Sequence, residues 1–294
     1  MTSKLYSERI RIDDIFDKAD GEAMDISHGI PFAGQMRISA GDYSDLADAS
    51  LVIVTAGANQ KPGETRIDLV HKNVDIFKSI IPRIMEQNFR GVLIVDANSV
   101  DLLTYAAAKI SGLPENRVIG SGTVLDTARL KYALGQLLGV DSRSVHAFVI
   151  GEHGDSEIVA WSCANVSGIP LQDFCEMRGY SNPKEEMEKI AYEVKNSAYE
   201  IIAKKGATYY GIAMSVKRIC ECIARDEKSI LPISTVMSGE YGISDIALSM
   251  PAIVGAEGIE THVPLSLDEG EATALRQSAK TLMEVASGLD LRRY

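Results

Sequence analysis

Nowhere does the chain run to about 18 consecutive apolar residues, so it holds no candidate for a bilayer-spanning helix. The opening Met1-Thr2-Ser3-Lys4-Leu5-Tyr6-Ser7-Glu8-Arg9 lacks the apolar core of a signal peptide, and the expected location is the cytoplasm. Positive charge is scarce as well: 30 Lys and Arg stand against 41 Asp and Glu, a formal net charge of -11. A field of that sign disfavours nucleic acid and anionic lipid as partners and leaves a small molecule as the expected ligand. Cysteine is limited to Cys163, Cys175, Cys220 and Cys222, at no metal-ligand spacing, and Cys220-Glu221-Cys222 is too tight for a routine disulfide. These read as reduced thiols, and no metal site is expected. Repeats, low-complexity tracts and flexible linkers are absent too. What remains is a chain of 294 residues, 46 % hydrophobic, long enough for an extensive core shared by two lobes.

The first half alternates short apolar runs with amphipathic stretches, the pattern of a parallel sheet with crossover helices. Strands are expected over 10–14, 51–54, 92–95 and 118–120, and helices over 18–27, 66–87 and 123–138. Two of these strands run into Thr55-Ala56-Gly57-Ala58 and Asp96-Ala97-Asn98-Ser99, at the carboxyl ends where open α/β sheets bind ligands. Beyond Gly122 the texture changes. Strands are expected over 145–150 and 162–166, long helices over 184–205 and 208–225, hairpins at 230–236 and 253–255, and a last helix over 269–287. The expected architecture is an α/β lobe over 1–122 followed by an α+β lobe over 123–294, with the site between them.

Chemistry concentrates in two segments. In Gly151-Glu152-His153-Gly154-Asp155-Ser156, glycines flank a histidine, the one side chain whose unperturbed pKa of about 6.5 suits proton exchange near neutrality. In Asp126-Thr127-Ala128-Arg129, an aspartate and an arginine three apart share a helical face, so one can orient an imidazole while the other grips an anion. Together they point to proton-coupled chemistry on a small carboxylate. His28, His71 and His262 have no such company and read as ordinary surface or core residues.

These segments, with Thr55 to Ala58, the loop from Gln60 to Arg66, Asn98 with Val100-Asp101, Gly122 to Arg129, and Ala207-Thr208-Tyr209-Tyr210-Gly211, fall in one order. In that order the chain resembles the NAD-dependent L-lactate and L-malate dehydrogenase family, on its bacterial lactate side. The resemblance implies a Rossmann-like lobe and NAD as cofactor, with pyruvate and L-lactate as substrates. It makes His153 the proton donor and acceptor, Asp126 its orienting partner, and Arg66 the charge that a closing loop brings to the substrate carbonyl. It makes Arg129 the carboxylate clamp, with Gln60, Asn98 and Thr208 completing the substrate pocket. Gln60 stands where malate enzymes tend to carry arginine, so a neutral amide meets a substrate with one carboxylate. Asp14 is the match for the ribose ligand, with Asp13 second, while Thr55, Ala56, Gly57, Asn98 and Ser121 line the rest of the cofactor site. Lys131 and His146 match positions that bind fructose 1,6-bisphosphate between subunits of allosteric members, and a homo-oligomer, a homotetramer by the family's habit, is implied with them.

Three departures accompany the resemblance. The family's first strand, Gly-x-Gly-x-x-Gly turn and helix would precede Ile10, where too few residues stand to hold them, so the sheet is expected without its first βα unit. Asn98 is followed by Ser99 where the family has a proline in a cis bond, and serine favours trans by about 2.5–4 kcal/mol. Asp96 takes a position that is apolar in the family. Two functions fit: an active lactate dehydrogenase, or a dehydrogenase-like protein with an impaired NAD site and no turnover.

Overall fold

Runs of valine, isoleucine and leucine build the sheet that organises this molecule, seen here in a computed structural model that describes residues 5–58, 63 and 65–291. The first half carries β1 (Glu8–Arg11), α1 (Phe16–Ser27), β2 (Arg37–Ala40), β3 (Leu51–Val54), α2 (Arg66–Glu86), β4 (Val92–Val95), α3 (Val100–Ser111), β5 (Val118–Gly120) and α4 (Val124–Leu138). Short pieces follow: β6 (Val145–His146), β7 (Val149–Ile150), β8 (Ile158–Val159), β9 (Asn165–Val166), β10 (Ile169–Pro170) and α5 (Leu171–Met177). The chain continues with α6 (Pro183–Lys205), α7 (Tyr210–Ala224), β11 (Ser229–Ser238), β12 (Ser244–Gly255), β13 (Gly258–His262) and α8 (Glu269–Ala286).

The main sheet has the order β13-β12-β11-β5-β4-β3. Strands β3, β4 and β5 run parallel, and the antiparallel β11-β12-β13 meander joins them where Ser234 faces Gly120. Every residue of β4 is buried, as a strand covered on both faces requires. By contrast β1, with Glu8, Arg9 and Arg11 among its four residues, pairs only with β2 in a separate parallel ribbon rather than in one continuous sheet. Charged side chains on both of its faces explain why it does not serve as an interior strand, and Glu8 meets Arg37 across the ribbon at 3.2 Å.

Helix α2 starts at a capping box, with the Thr65 hydroxyl accepting from the Asp68 amide and the Asp68 carboxylate from the Thr65 amide. Its Val70, Val74, Phe77, Ile81 and Ile84 form one stripe into the main core, at the period of a helix. A second core lies between α4, α5 and α6, and a third joins Val92, Ile94 and Ile119 to Ile219, Ile233 and Val254. The two halves therefore share packing across Gly122.

Boundaries differ from expectation in several places. The strand expected over 10–14 lies at Glu8–Arg11, and β2 was not anticipated. The run 145–150 divides between two small sheets, and 162–166 opens with a 3-10 turn at Trp161–Cys163 before β9. The hairpin strands are longer than expected, at Ser229–Ser238 and Ser244–Gly255. No helix among the described residues is long and apolar enough to cross a membrane.

Candidate active site

Two sharp turns, at Gly122 and Gly151, bring the acid and the histidine together. Gly122 links β5 to α4 with a φ of +53°, and a Cβ there would lie 2.5 Å from the Ser234 amide nitrogen, so only glycine serves. The first turn of α4 is then tied to β7: the Thr123 hydroxyl donates to the Val149 carbonyl at 2.6 Å, and the Val149 amide donates to the Thr127 hydroxyl at 2.9 Å. At the end of β7, Gly151 takes a φ of +87° and bridges to Ser249 of β12, and a Cβ would come within 2.9 Å of Ile158. The loop beyond it carries His153.

In this frame His153 Nδ1 lies 2.6 Å from Asp126 Oδ2, and Arg129 Nη1 donates to Asp126 Oδ1 at 2.7 Å. Asp126 is buried, so the pair and the guanidinium compensate a carboxylate that water does not reach. Burial disfavours the imidazolium, but the Asp126 carboxylate overrides it and raises the His153 pKa to about 9. Burial likewise pushes Asp126 upward, yet His153 and Arg129 hold it below the usual aspartate range. With Nδ1 engaged, Nε2 is the nitrogen that exchanges a proton with a ligand, and the His153 side chain keeps 28 % of its surface open. A guanidinium has five N–H donors, so Arg129 can hold Asp126 and a substrate carboxylate together.

Three buried or half-buried polar residues to which the sequence reading gave no role complete the arrangement. Asp101, fully buried in α3, accepts the His153 amide at 2.7 Å with one oxygen and the Ser234 hydroxyl at 2.6 Å with the other. Burial pushes its carboxyl up to about 6, against those hydrogen bonds. Glu157 follows the histidine loop, with one oxygen within 4.8 Å of ligand atoms of both Asp126 and His153. Asn73, on the inward face of α2, accepts from the Ala58 amide and donates to the Asn98 carbonyl, each at 2.7 Å. The signal for Asn73 was a lone polar residue inside an apolar helical stripe, and Asp101 added to that signal its place in the Val100-Asp101 motif.

The remaining expected residues gather at the strand ends. Thr55, Ala56 and Gly57 follow β3, and Asn73 clamps this turn to the one at Asn98. A Cβ on Gly57 would make only ordinary contacts, 3.5 Å from Ala97, so packing alone does not require glycine there. Ser121 is buried beyond β5, its amide donating to the Val95 carbonyl at 2.9 Å. Asp96 bonds Ser121, and burial raises its pKa while the nearby His153 charge opposes the rise. Asp14 is exposed beyond β1, whereas Asp13 caps the Ile15 amide at 3.1 Å and pairs with Lys18. The Asn98-Ser99 bond is cis, not the trans bond that serine led one to expect. Thr208 is half-buried ahead of α7, whose Gly211 makes room for Leu125, the neighbour of Asp126. Half-buried Lys131 of α4 has its pKa lowered by burial, and His146 lies exposed on β6. Gln60 and the Arg66 side chain lie outside the described residues; the Arg66 backbone opens α2.

Carboxyl strand ends, an acidic residue beyond β1 and a histidine-aspartate-arginine cluster define a nucleotide-linked oxidoreductase of small acids. The NAD-binding domain profile of the lactate/malate dehydrogenases matches residues 1–120, and that of their alpha/beta C-terminal domain matches residues 123–288. The chain belongs to the lactate/malate dehydrogenase family, and its cofactor is NAD. Its similar proteins within the family include L-lactate dehydrogenases. That of Acetivibrio thermocellus is 51 % identical over 291 residues, covering 99 % of this chain and 92 % of the relative. That of Thermoanaerobacter sp. is 48 % identical over 275 residues, covering 94 % and 88 %. Among solved structures, a lactate dehydrogenase from a Medee basin deep-sea metagenome library superposes with a TM-score of 0.94 at 45 % identity, covering 97 % of this chain and 91 % of that one. The minor L-lactate dehydrogenase of Enterococcus mundtii, in a ligands-bound form, gives 0.93 at 42 % identity, with the same coverage of 97 % and 91 %.

Proposed function

We propose that the chain is an NAD-dependent L-lactate dehydrogenase in which His153 passes the proton between protein and substrate oxygen. The observation that carries this reading is the 2.6 Å contact between His153 and a buried Asp126 that also holds Arg129. NAD, when bound, supplies or accepts the hydride at the carbonyl carbon. The protein's share is the rest. Asp14, Thr55, Ala56, Gly57, Asn98 and Ser121 would hold the cofactor, and the room above Gly57, which no Cβ fills, suits a close approach of a ligand. Arg129 holds the pyruvate carboxylate bidentately, which fixes the keto carbon relative to His153. The imidazolium, kept protonated at neutral pH by Asp126, donates through Nε2 and returns to the neutral ring. By the resemblance, Arg66 polarises the carbonyl and Thr208 bounds the small methyl side of the pocket.

Substrate choice rests on Gln60. A second carboxylate, as in oxaloacetate, would sit beside a neutral amide, at roughly 3–5 kcal/mol for a buried unpaired charge. The division into a nucleotide lobe over 1–122 and a catalytic lobe over 123–294, a cytoplasmic location and a homo-oligomer belong to the same reading. Lys131 and His146 are the residues through which fructose 1,6-bisphosphate would act at a subunit boundary; as a point charge, Lys131 grips phosphate less specifically than an arginine.

One set of assays tests this. NADH is expected to bind in a fluorescence titration and to reduce pyruvate in preference to oxaloacetate. His153→Ala is expected to cost at least about 100-fold in turnover with NADH binding kept, and Gln60→Arg to move the preference towards oxaloacetate. Full turnover in the alanine variant removes His153 from its role, and an unchanged substrate ratio removes Gln60 from its own. Failure of NADH to bind at millimolar concentration leaves the chain a silent relative.

A further inference from the structure

Beside the histidine-aspartate pair stands an acid that proton transfer does not use. Glu157 lies between the His153 loop and β8, and its carboxylate, the Asp126 carboxylate and the His153 ring place one ligand atom each within 4.8 Å of the others. Glu157 Oε1 is sealed from solvent and has no hydrogen-bond partner among the described residues. The surrounding cations are committed elsewhere: Arg129 of α4 donates to Asp126, and Lys195 of α6 donates to the Asp155 carbonyl. The charged groups facing Glu157 are thus Asp126 and Arg129 from α4, His153 from its own loop and Lys195 from α6. Burial and then the Asp126 charge make ionising Glu157 costly, and the nearby His153, Lys195 and Arg129 offset that only in part.

We propose that Glu157 is a charge gate for the substrate: neutral, it leaves the pocket open to a monoanionic keto acid, and ionised, it places a negative charge where the keto acid's carboxylate must settle. Burial, then the neighbouring Asp126 carboxylate, hold its proton on up to about 8. His153 keeps its own proton to about 9, so the gate closes first as pH rises. The step is one proton released to solvent from Glu157. Glu157 is here a positioning residue, acting through the field at Arg129 and His153, and the inference rests on their assigned roles.

The test is the alkaline limb of kcat/KM for pyruvate with saturating NADH, which reports groups of the substrate-free form. Two groups ionising in turn give a logarithmic slope that approaches two, with the early loss carried by KM. Glu157→Gln removes one group, and its slope is expected to stop at one. A wild-type slope that never exceeds one overturns the gate, even if the glutamine variant does not fold, and so do equal slopes in both proteins. A second readout needs no turnover. Folded Glu157 keeps a proton that the unfolded chain releases near 4.5, so the wild type loses stability relative to Glu157→Gln as pH rises towards 8. The Tm advantage of the variant is expected to grow from pH 5 to pH 8; a constant difference counts against the proposal. Absence of pyruvate turnover at every pH removes the catalytic assignment and the gate together, whereas turnover with equal slopes removes the gate alone.

Discussion

Asp101 has no contact with solvent, yet it holds the His153 loop by the one bond that a backbone amide can offer. Removing its side chain leaves that buried N–H unsatisfied, at about 1–3 kcal/mol, and frees the loop to shift relative to Asp126. Asp101→Ala is expected to lower kcat/KM about 10- to 100-fold through misplacement while NADH binding persists. Asp101→Asn is expected to recover most of it. Its carbonyl can face the His153 amide, and the Ser234 hydroxyl, now 2.6 Å from Asp101, can rotate to accept from the amide nitrogen. Kinetics of the two variants decide the matter: asparagine no better than alanine would mean that charge, not geometry, is what Asp101 supplies. At this scale the sequence was legible where chemistry repeats a spacing. Asp126 and Arg129 three apart, and a histidine between glycines, could be read without coordinates. The roles of Asp101, Glu157 and Asn73 could not, although Asp101 stood in a family motif, because each acts through a partner distant in sequence: 52 residues from Asp101 to His153, and 25 from Asn73 to Asn98.

Elements carry these residues only as firmly as their ends are fixed. α2 begins at Arg66, and its first turn is held by the reciprocal bonds of Thr65 and Asp68, each at 3.1 Å. Thr65→Ala deletes one acceptor, and amide exchange at Asp68 is expected to quicken about fivefold, the usual effect of a lost cap. Thr65→Ser should restore protection; equal exchange in all three proteins would show that packing, not the cap, sets this end. Strands β3, β4 and β5 coincide with their apolar runs because burial on both faces leaves no room for ambiguity. β2, with the sequence Arg-Ile-Ser-Ala, has no such signature and exists through pairing with β1. The run 145–150 divides because its two ends find different partners, Val145 with Val166 and Val149 with Val159.

Across the whole molecule, the buried ionisable groups give stability a direction in pH. His153 is raised to about 9 from an ordinary 6.5, so its contribution is complete below about 6.5 and lost as pH climbs through about 9. Asp126 is depressed, so its share is present above the ordinary aspartate value of 3.8 and lost as pH falls below it. Asp101, raised to about 6, costs more as pH rises towards that value. Unfolding free energy measured in urea is therefore expected to fall from pH 6 to pH 9.5, by about 3 kcal/mol from the His153 step alone, with the midpoint falling in step. A midpoint that is flat or rising over this interval would contradict the pairing of His153 with Asp126.

The residues by themselves determined the α/β class, the helices and central strands and the family, and they singled out His153, Asp126 and Arg129 as candidates, since periodicity and short motifs are local properties that survive in a linear string. Tertiary structure decided the rest: that β1 and β2 stand apart as a ribbon, that the β11-β12-β13 meander extends the parallel strands, and that Asp101 and Glu157 close around the histidine. Strand pairing and the field at a buried acid depend on which distant surfaces exclude water together. No window of sequence contains that information.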